Sequence, residues 1–449
     1  MSKDAQFSAQ PLLRAFWRSA IVLALVSTLA TCARAQQHCD LLLHGGRVID
    51  PANHLDGIRD VAITNGHIAA IAEHVEGSAC LRVVDVNGLV VTPGLLDIHA
   101  HVYAGTGERN SYAGDNSVYP DGFTFRTGVT TVADAGGSGW KNFYDFKERI
   151  IDRSQTRVLA FLNIVGDGMR GTRYEQDTAL MDAQKAGEEA LKYPGLIVGI
   201  KTAHYMAPDW IAVEQAVKAG SIAHIPVMVD FGDFRPERPY QQLVLEKLRP
   251  GDISTHMYLS WVPLLDEHGK LLPYLAQARK RGVIFDVGHG GGSFLFRQAV
   301  PAIQQGWVPD SISTDLHISS MNAGMKDMLN VMSKFLNMGL SLNDVIRMST
   351  SNPAHEIQRP DLGTLTVGSE ADVAVFNIEH GKFGFVDTFG ARMDGAERLQ
   401  CEMTLRAGKV VWDLNGRTRD DWKTLGNYRA QGSPNWDGTL SSDVAKRTH

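Results

Sequence analysis

The sequence predicts an α/β protein: a TIM (β/α)8 barrel with a small β-sandwich domain formed by the N- and C-terminal segments. Three observations predict it. Eight short apolar runs separated by longer helical stretches fill the middle of the 449-residue chain, and eight β-α units in about 250 residues is the size of such a barrel. Short strands with Asn-Gly turns precede these runs, and a matching β segment follows them. Polar residues able to bind metals recur at the C-terminal ends of the runs, the face on which such barrels carry their sites.

Taken in order, residues 1–35 read as a secretory signal. Arg14 and Arg18 precede an apolar run of 11 residues, Ala20–Ala30, and the small residues Ala33 and Ala35 mark a cut after Ala35. The run is too short to span a bilayer. A soluble periplasmic protein, with no membrane association after cleavage, is the expectation. The mature chain then keeps Cys39, Cys80 and Cys401, with no C-x-x-C pair. Export permits a Cys39–Cys80 disulfide; buried free thiols fit equally well.

Residues 36–92 form the first part of the sandwich, with hairpin turns at Asn65–Gly66 and Asn87–Gly88. Residues 93–358 form the barrel. Its strands are "GLLDIHA", "TTVADAG", "VLAFLNIV", "LIVGIKTA", "PVMVDFG", "DISTHMY", "VIFDVGH" and "SISTDLH", each apolar enough to be buried on both faces. Residues 359–416 complete the sandwich, and 417–449 are a polar tail. A net charge of −6 leaves no basic footprint, which argues against a nucleic-acid partner. A homo-oligomer is consistent with the sequence but not specified by it.

Reading only the strand ends gives His99, His101, Asp134, Asn163, Lys201, Asp230, His256, His289 and Asp315. On a strand His99 and His101 point the same way, so together they can hold one divalent ion. A lysine at the end of "LIVGIK" is poorly solvated as an ammonium. Lys201 either pairs with a strand-end aspartate or, neutralised, reacts with CO₂ to give an N6-carboxylated side chain, an anionic ligand able to bridge two metals. His256 reads as a further imidazole ligand or a satisfied core histidine. Asp315 reads as a metal ligand that also takes a proton from water, or as the N-cap of the next helix. Tyr103, His204 and His289 are candidate substrate contacts, His204 also standing close to a second metal. The glycine run after Asp134 reads as the opening of a helix.

"VTPGLLDIHAHVY", "GIK", "STH", "STDLH" and the closing "GTLTVGSEADVAVF" together resemble the amidohydrolase superfamily. "TGVTTVADAGGSGWKNFYDFKERII", "FDVGHGGGSFLF" and "SISTDLH" resemble its deacetylase branch, esterases and deacetylases of the acetyl-mandelate type. The resemblance runs from Cys39 to Trp412. It implies that His99, His101 and Asp315 hold one metal, zinc in the first instance, and that carboxylated Lys201 bridges to a second. His256 and a histidine ending strand five would hold that second ion. Here the chain departs from the pattern, because the strand-five position is Asp230. A hard anionic oxygen there favours a less electrophilic second ion, manganese or iron, or a single-metal enzyme.

The expected activity is hydrolysis of an ester or amide, an acetyl bond first, in a small acylated carboxylic acid, with Asp315 moving the proton. A cyclic amidase of dihydroorotase type ranks second; it needs a substrate-carboxylate arginine, and Arg109 is the nearest in sequence to the histidine pair. Arg170 and Arg173 are further candidates for a carboxylate contact. A mononuclear deaminase has no use for Lys201. A catalytically inactive exported binding protein is the rival from another class, supported by Asp230 alone.

Overall fold

The computed structural model describes residues 39–232 and 235–425. The expected signal segment, its cleavage site and the tail from 426 onward lie outside the described residues.

The first five strands are β1 (Cys39–Asp50), β2 (Leu55–Thr64), β3 (His67–Ala72), β4 (Cys80–Asp85) and β5 (Val90–Pro93). Seven more carry the centre of the chain: β6 (Leu95–Ala100), β7 (Val129–Gly139), β8 (Arg157–Asn163), β9 (Ile197–Thr202), β10 (Val227–Val229), β11 (Ile253–Ser254) and β12 (Ile284–Phe285). The last three are β13 (Val373–Val386), β14 (Arg392–Arg406) and β15 (Lys409–Asp413).

The first five strands and the last three meet in one eight-stranded sheet, in the order β15-β14-β13-β5-β1-β2-β3, with β4 paired to β1. The expected sandwich is thus built from one continuous hydrogen-bonded sheet. Leu41, Val61 and Val84 from the N-terminal strands share an apolar core with Val373, Met403 and Leu405 from the C-terminal ones. Asn65 and Gly66, at φ 49° and 78°, turn β2 into β3 as a hairpin; a two-residue turn with both φ positive matches the strand twist and favours Asn-Gly. The second Asn-Gly pair behaves otherwise. β4 and β5 do not pair with each other; both run parallel to successive halves of β1, so Asn87–Gly88 bends one path along one neighbour. Cys39 and Cys80 face each other across β1 and β4 and form a disulfide, whereas Cys401 is a buried free thiol.

The seven central strands form one all-parallel sheet in sequence order, β6 to β12. Its strands are buried on both faces, as the unbroken burial of β6 and β7 shows, which is why they read as apolar runs without alternation. The eighth predicted strand contributes isolated parallel bridges, Ser311 to Asp286 on one side and Leu316 to Ala100 on the other. The glycine run that reads as a helix start belongs to β7, and the helix begins at Phe143. Gly136 is the close approach there: a Cβ on it would stand 2.7 Å from Lys201 Cγ.

Candidate metal centre

The site is built at the C-terminal ends of the parallel strands. In β6 the register slips by one residue against β7 between Asp97 and Ala100, a β-bulge. Below the slip Leu96 and Ile98 pack in the sheet core; above it His99 and His101 face a cavity of about 590 Å³. Bulges re-aim side chains in this way. His101 Nε2 stands 2.9 Å from Asp315 Oδ1, and His99 Nε2 stands 3.7 Å from the same oxygen. Donor atoms of the three residues lie within 4.8 Å of one another, all buried. Behind His99, Thr255 Oγ1 lies 2.9 Å from Nδ1 and donates to Asp286 Oδ2 at 2.7 Å, and Ser311 and Ser313 also donate to Asp286.

The electrostatics suit a cation. Burial, then the Lys201 charge, push the His99 pKa down to about 3, and burial lowers that of His101, so both imidazoles are neutral lone-pair donors. Burial raises the Asp315 pKa, but His317, His99 and His101 outweigh it and hold the group well below the ordinary carboxylate value. Two neutral imidazoles and one ionised carboxylate are a donor set that fits a divalent ion.

A second cluster lies alongside. Lys201 is fully buried; its Nζ meets His99 Nε2 at 3.2 Å and Met228 Sδ at 3.6 Å, and burial drives its pKa down. No strand-end carboxylate is within hydrogen-bond range of that amine among the described contacts, so the simple ion-pair alternative is not what this geometry shows. Asp230 Oδ2 lies 3.1 Å from His204 Nε2 and 3.4 Å from His256 Nε2. His204 Nδ1 contacts Glu175 Oε2 at 2.6 Å, and His256 Nδ1 contacts the Gly288 carbonyl at 2.6 Å. His204, His256 and Asp315 all have positive φ, at 55°, 60° and 52°. Left-handed backbone at a non-glycine residue costs of order 1–3 kcal/mol and tends to cluster at functional sites.

Not every rim residue reaches the cavity. Tyr103, a candidate substrate contact, is buried against Phe146 with its hydroxyl donating to Asp145, so it supports the loop from behind. His289, the other such candidate to miss, is fully buried, stacked on Phe294 at 4.5 Å and 2.6 Å from Lys334 Nζ; the glycines after it line the wall instead. Asp134 accepts backbone N–H groups of Val102, Tyr103 and Gly137, and Asn163 bonds the Gly136 carbonyl and the Val165 N–H, so both hold loops. His204 does line the cavity. Sequence reasoning missed Tyr112 and His317, which also line it, and Glu175 and Asp286, which stand behind histidines. For His317 a signal existed, since it follows Asp315 by two in "STDLH"; its Nε2 lies 3.6 Å from Asp315 Oδ2 while its Nδ1 caps the next helix at Ser320 N. The capping role considered for Asp315 therefore falls to His317. Arg170 and Arg173 do not line the cavity, and Arg173 pairs with Glu108.

The amidohydrolase family model matches residues 296–411. A deacetylase of Brucella anthropi is 33% identical over 347 residues, covering 75% of this chain and 84% of that protein. The chain belongs to the amidohydrolase family. This amidohydrolase also resembles two solved structures. One is an adenine deaminase, at TM-score 0.76 and 27% identity, covering 84% of this chain and all of that one. The other is a dihydroorotase, at TM-score 0.72 and 29% identity, covering 83% and 99%. The amidohydrolase is thus a hydrolase acting on C–N bonds, of a family that generally uses a metal, and its His99–His101–Asp315 group could bind one.

Proposed function

We propose that this amidohydrolase is an exported, metal-dependent hydrolase that cleaves an ester or amide bond, an acetyl bond first, in a small acylated carboxylic acid. One observation carries the reading: His99, His101, Lys201, His256 and Asp315, drawn from the ends of three strands and the 311–316 segment, converge on the floor of one cavity. We read that segment as the eighth strand of a closed barrel. The proposed cofactors are two divalent ions, zinc at the first site, with zinc, manganese or iron at the second. Bound there, such ions supply Lewis acidity towards a carbonyl oxygen and lower the pKa of water.

The chain's own groups supply the rest. His99 is held in orientation by Thr255 and Asp286, which fixes the direction of its Nε2 lone pair. Asp315 is ionised and accessible to the cavity, so it is placed to accept a proton and return it to a leaving group. Burial lowers the Lys201 pKa, and in its uncharged form the amine can form an N–C bond with CO₂ and release one proton, giving a carbamate beside both clusters. Met206, Leu259 and Trp261 give the cavity an apolar side, suited to the body of a small substrate.

The deacetylase-named relative supports acyl hydrolysis. The dihydroorotase reading requires an arginine for a substrate carboxylate, and among the described residues lining the cavity there is none. Gly291, Gly292 and Ser293 offer neutral donors on that wall. A panel of acetylated hydroxy and amino acids, with and without chelator, tests the reading: hydrolysis abolished by chelator is expected. Ring opening of dihydroorotate without deacetylation would favour the second reading, and inactivity regardless of metal would favour a binding protein. For export, the mature protein should begin at Gln36 on N-terminal sequencing; retention of Met1 in the secreting cell overturns it.

A further inference from the structure

The strand-five position offers Asp230 where the resemblance expects a histidine, and the structure places another histidine against it. We propose that His204 supplies the missing imidazole, so that the second divalent ion is held by His204, Asp230 and His256, with Glu175 orienting His204 from behind. This rests on the reading of the cavity as a metal-dependent site.

Three observations carry it. First, His204 and His256 approach the same oxygen, Asp230 Oδ2, each through Nε2, at 3.1 and 3.4 Å. Second, the opposite nitrogen of each ring is already committed. His204 Nδ1 meets the Glu175 carboxylate and His256 Nδ1 meets the Gly288 carbonyl, both at 2.6 Å. A carbonyl or an ionised carboxylate only accepts, so each Nδ1 donates to the group behind it and each Nε2–H donates to Asp230 Oδ2; an ion bound there would take the place of those two Nε2 protons. A carboxylate behind an imidazole is the usual arrangement for a metal-ligating histidine, and it repeats what Asp286 does for His99 through Thr255. Third, the backbone of His204 is held left-handed like those of His256 and Asp315, and the turn after Asp230 packs on it: a Cβ at Gly232 would stand 3.1 Å from the His204 carbonyl carbon.

His204 thus moves the imidazole from strand five to the loop after strand four, and Asp230 fills the vacated place as an oxygen donor. The donor set becomes two imidazoles and one carboxylate, the same as at the first site, with Lys201 between the two.

The test is metal content of the full chain after loading with Zn²⁺ in bicarbonate buffer, measured by elemental analysis and checked for folding by melting curves. Two ions per chain are expected for the wild type and one for His204→Ala, with Glu175→Gln binding the second ion about 10- to 100-fold more weakly. In the His204→Ala background, Asp230→His should restore the second ion. Two ions retained by His204→Ala overturn the proposal, as does a wild type holding one ion that His101→Ala removes; in both cases the hydrolase reading survives. A wild type that binds no ion overturns both. If His204→Ala does not fold, zinc-edge anomalous maps of the wild type decide: a second peak about 2.0–2.1 Å from His204 Nε2 supports the assignment, and a second peak remote from it, or none, overturns it.

Discussion

The two halves of the cavity floor are assembled differently. The first half, His99, His101 and Asp315, joins one strand to the segment bridging its open edge. Its two histidines are two residues apart, and their approach is set by a single bulge. The second half, Lys201, His204, Asp230 and His256, draws on the ends of β9, β10 and β11 and on Glu175 from a short helix, Thr172–Glu175, further back. Both halves use a carboxylate behind an imidazole, Asp286 through Thr255 in one and Glu175 directly in the other. A site can therefore keep its orienting logic while the ligand itself changes element.

That comparison can be broken most sharply at Asp315. Replacing it with asparagine should lower kcat by about 10²- to 10⁴-fold while zinc content stays near the wild-type value; unchanged turnover in a steady-state assay would remove the proton-transfer role. Next comes Asp286→Asn, which should weaken the first ion by about 10- to 100-fold and the second far less, measured by competition with a chelating dye. Equal weakening of both ions would show that the halves are not separable.

Lys334 provides a control outside both halves. Burial lowers its pKa to about 7, and it contacts the His289 ring and the Gly324 carbonyl. Because the unfolded chain holds that proton up to its ordinary value near 10.5, the unfolded state binds more protons between about 7 and 10.5. Its contribution to stability is therefore full above that window and is lost as pH falls through it. Denaturant titrations should show wild type gaining on Lys334→Met as pH rises from 7 towards 10, with metal content unaffected; a flat difference would mean the amine stays charged. The smallest effect on the site belongs to Cys80→Ser. Losing the Cys39–Cys80 link should cost about 2–4 kcal/mol of stability, seen as a lower Tm, with both metal occupancy and kcat unchanged. A fall in kcat at 25 °C would tie the outer sheet to the cavity.

Much of the parallel sheet and half of the site were legible along the chain. Seven of the predicted parallel strands appear in place, because strands buried on both faces must be apolar throughout and so stand out from their flanks. His99 and His101 were legible because the side-chain period of a strand fixes their common direction. The Asn65–Gly66 hairpin followed from the turn's demand for positive φ, whereas Asn87–Gly88 showed that the same dipeptide bends a chain without pairing its flanks. Tyr103 and His289 were misplaced because position at a strand end does not say which way a side chain turns; packing against Phe146 and Phe294 turned them inward.

The information legible in the chain alone is local: element type from periodicity, the histidine pair from a spacing of two, and a lysine at the end of a buried strand. Only the tertiary structure decided that His204 stands on Asp230, that Glu175 and Asp286 hold the rings, and that Cys39 meets Cys80. The physical reason is distance. Strand and helix patterns act over a few residues, while these contacts join groups 26 to 187 residues apart, which only the pairing of strands within the two sheets brings together.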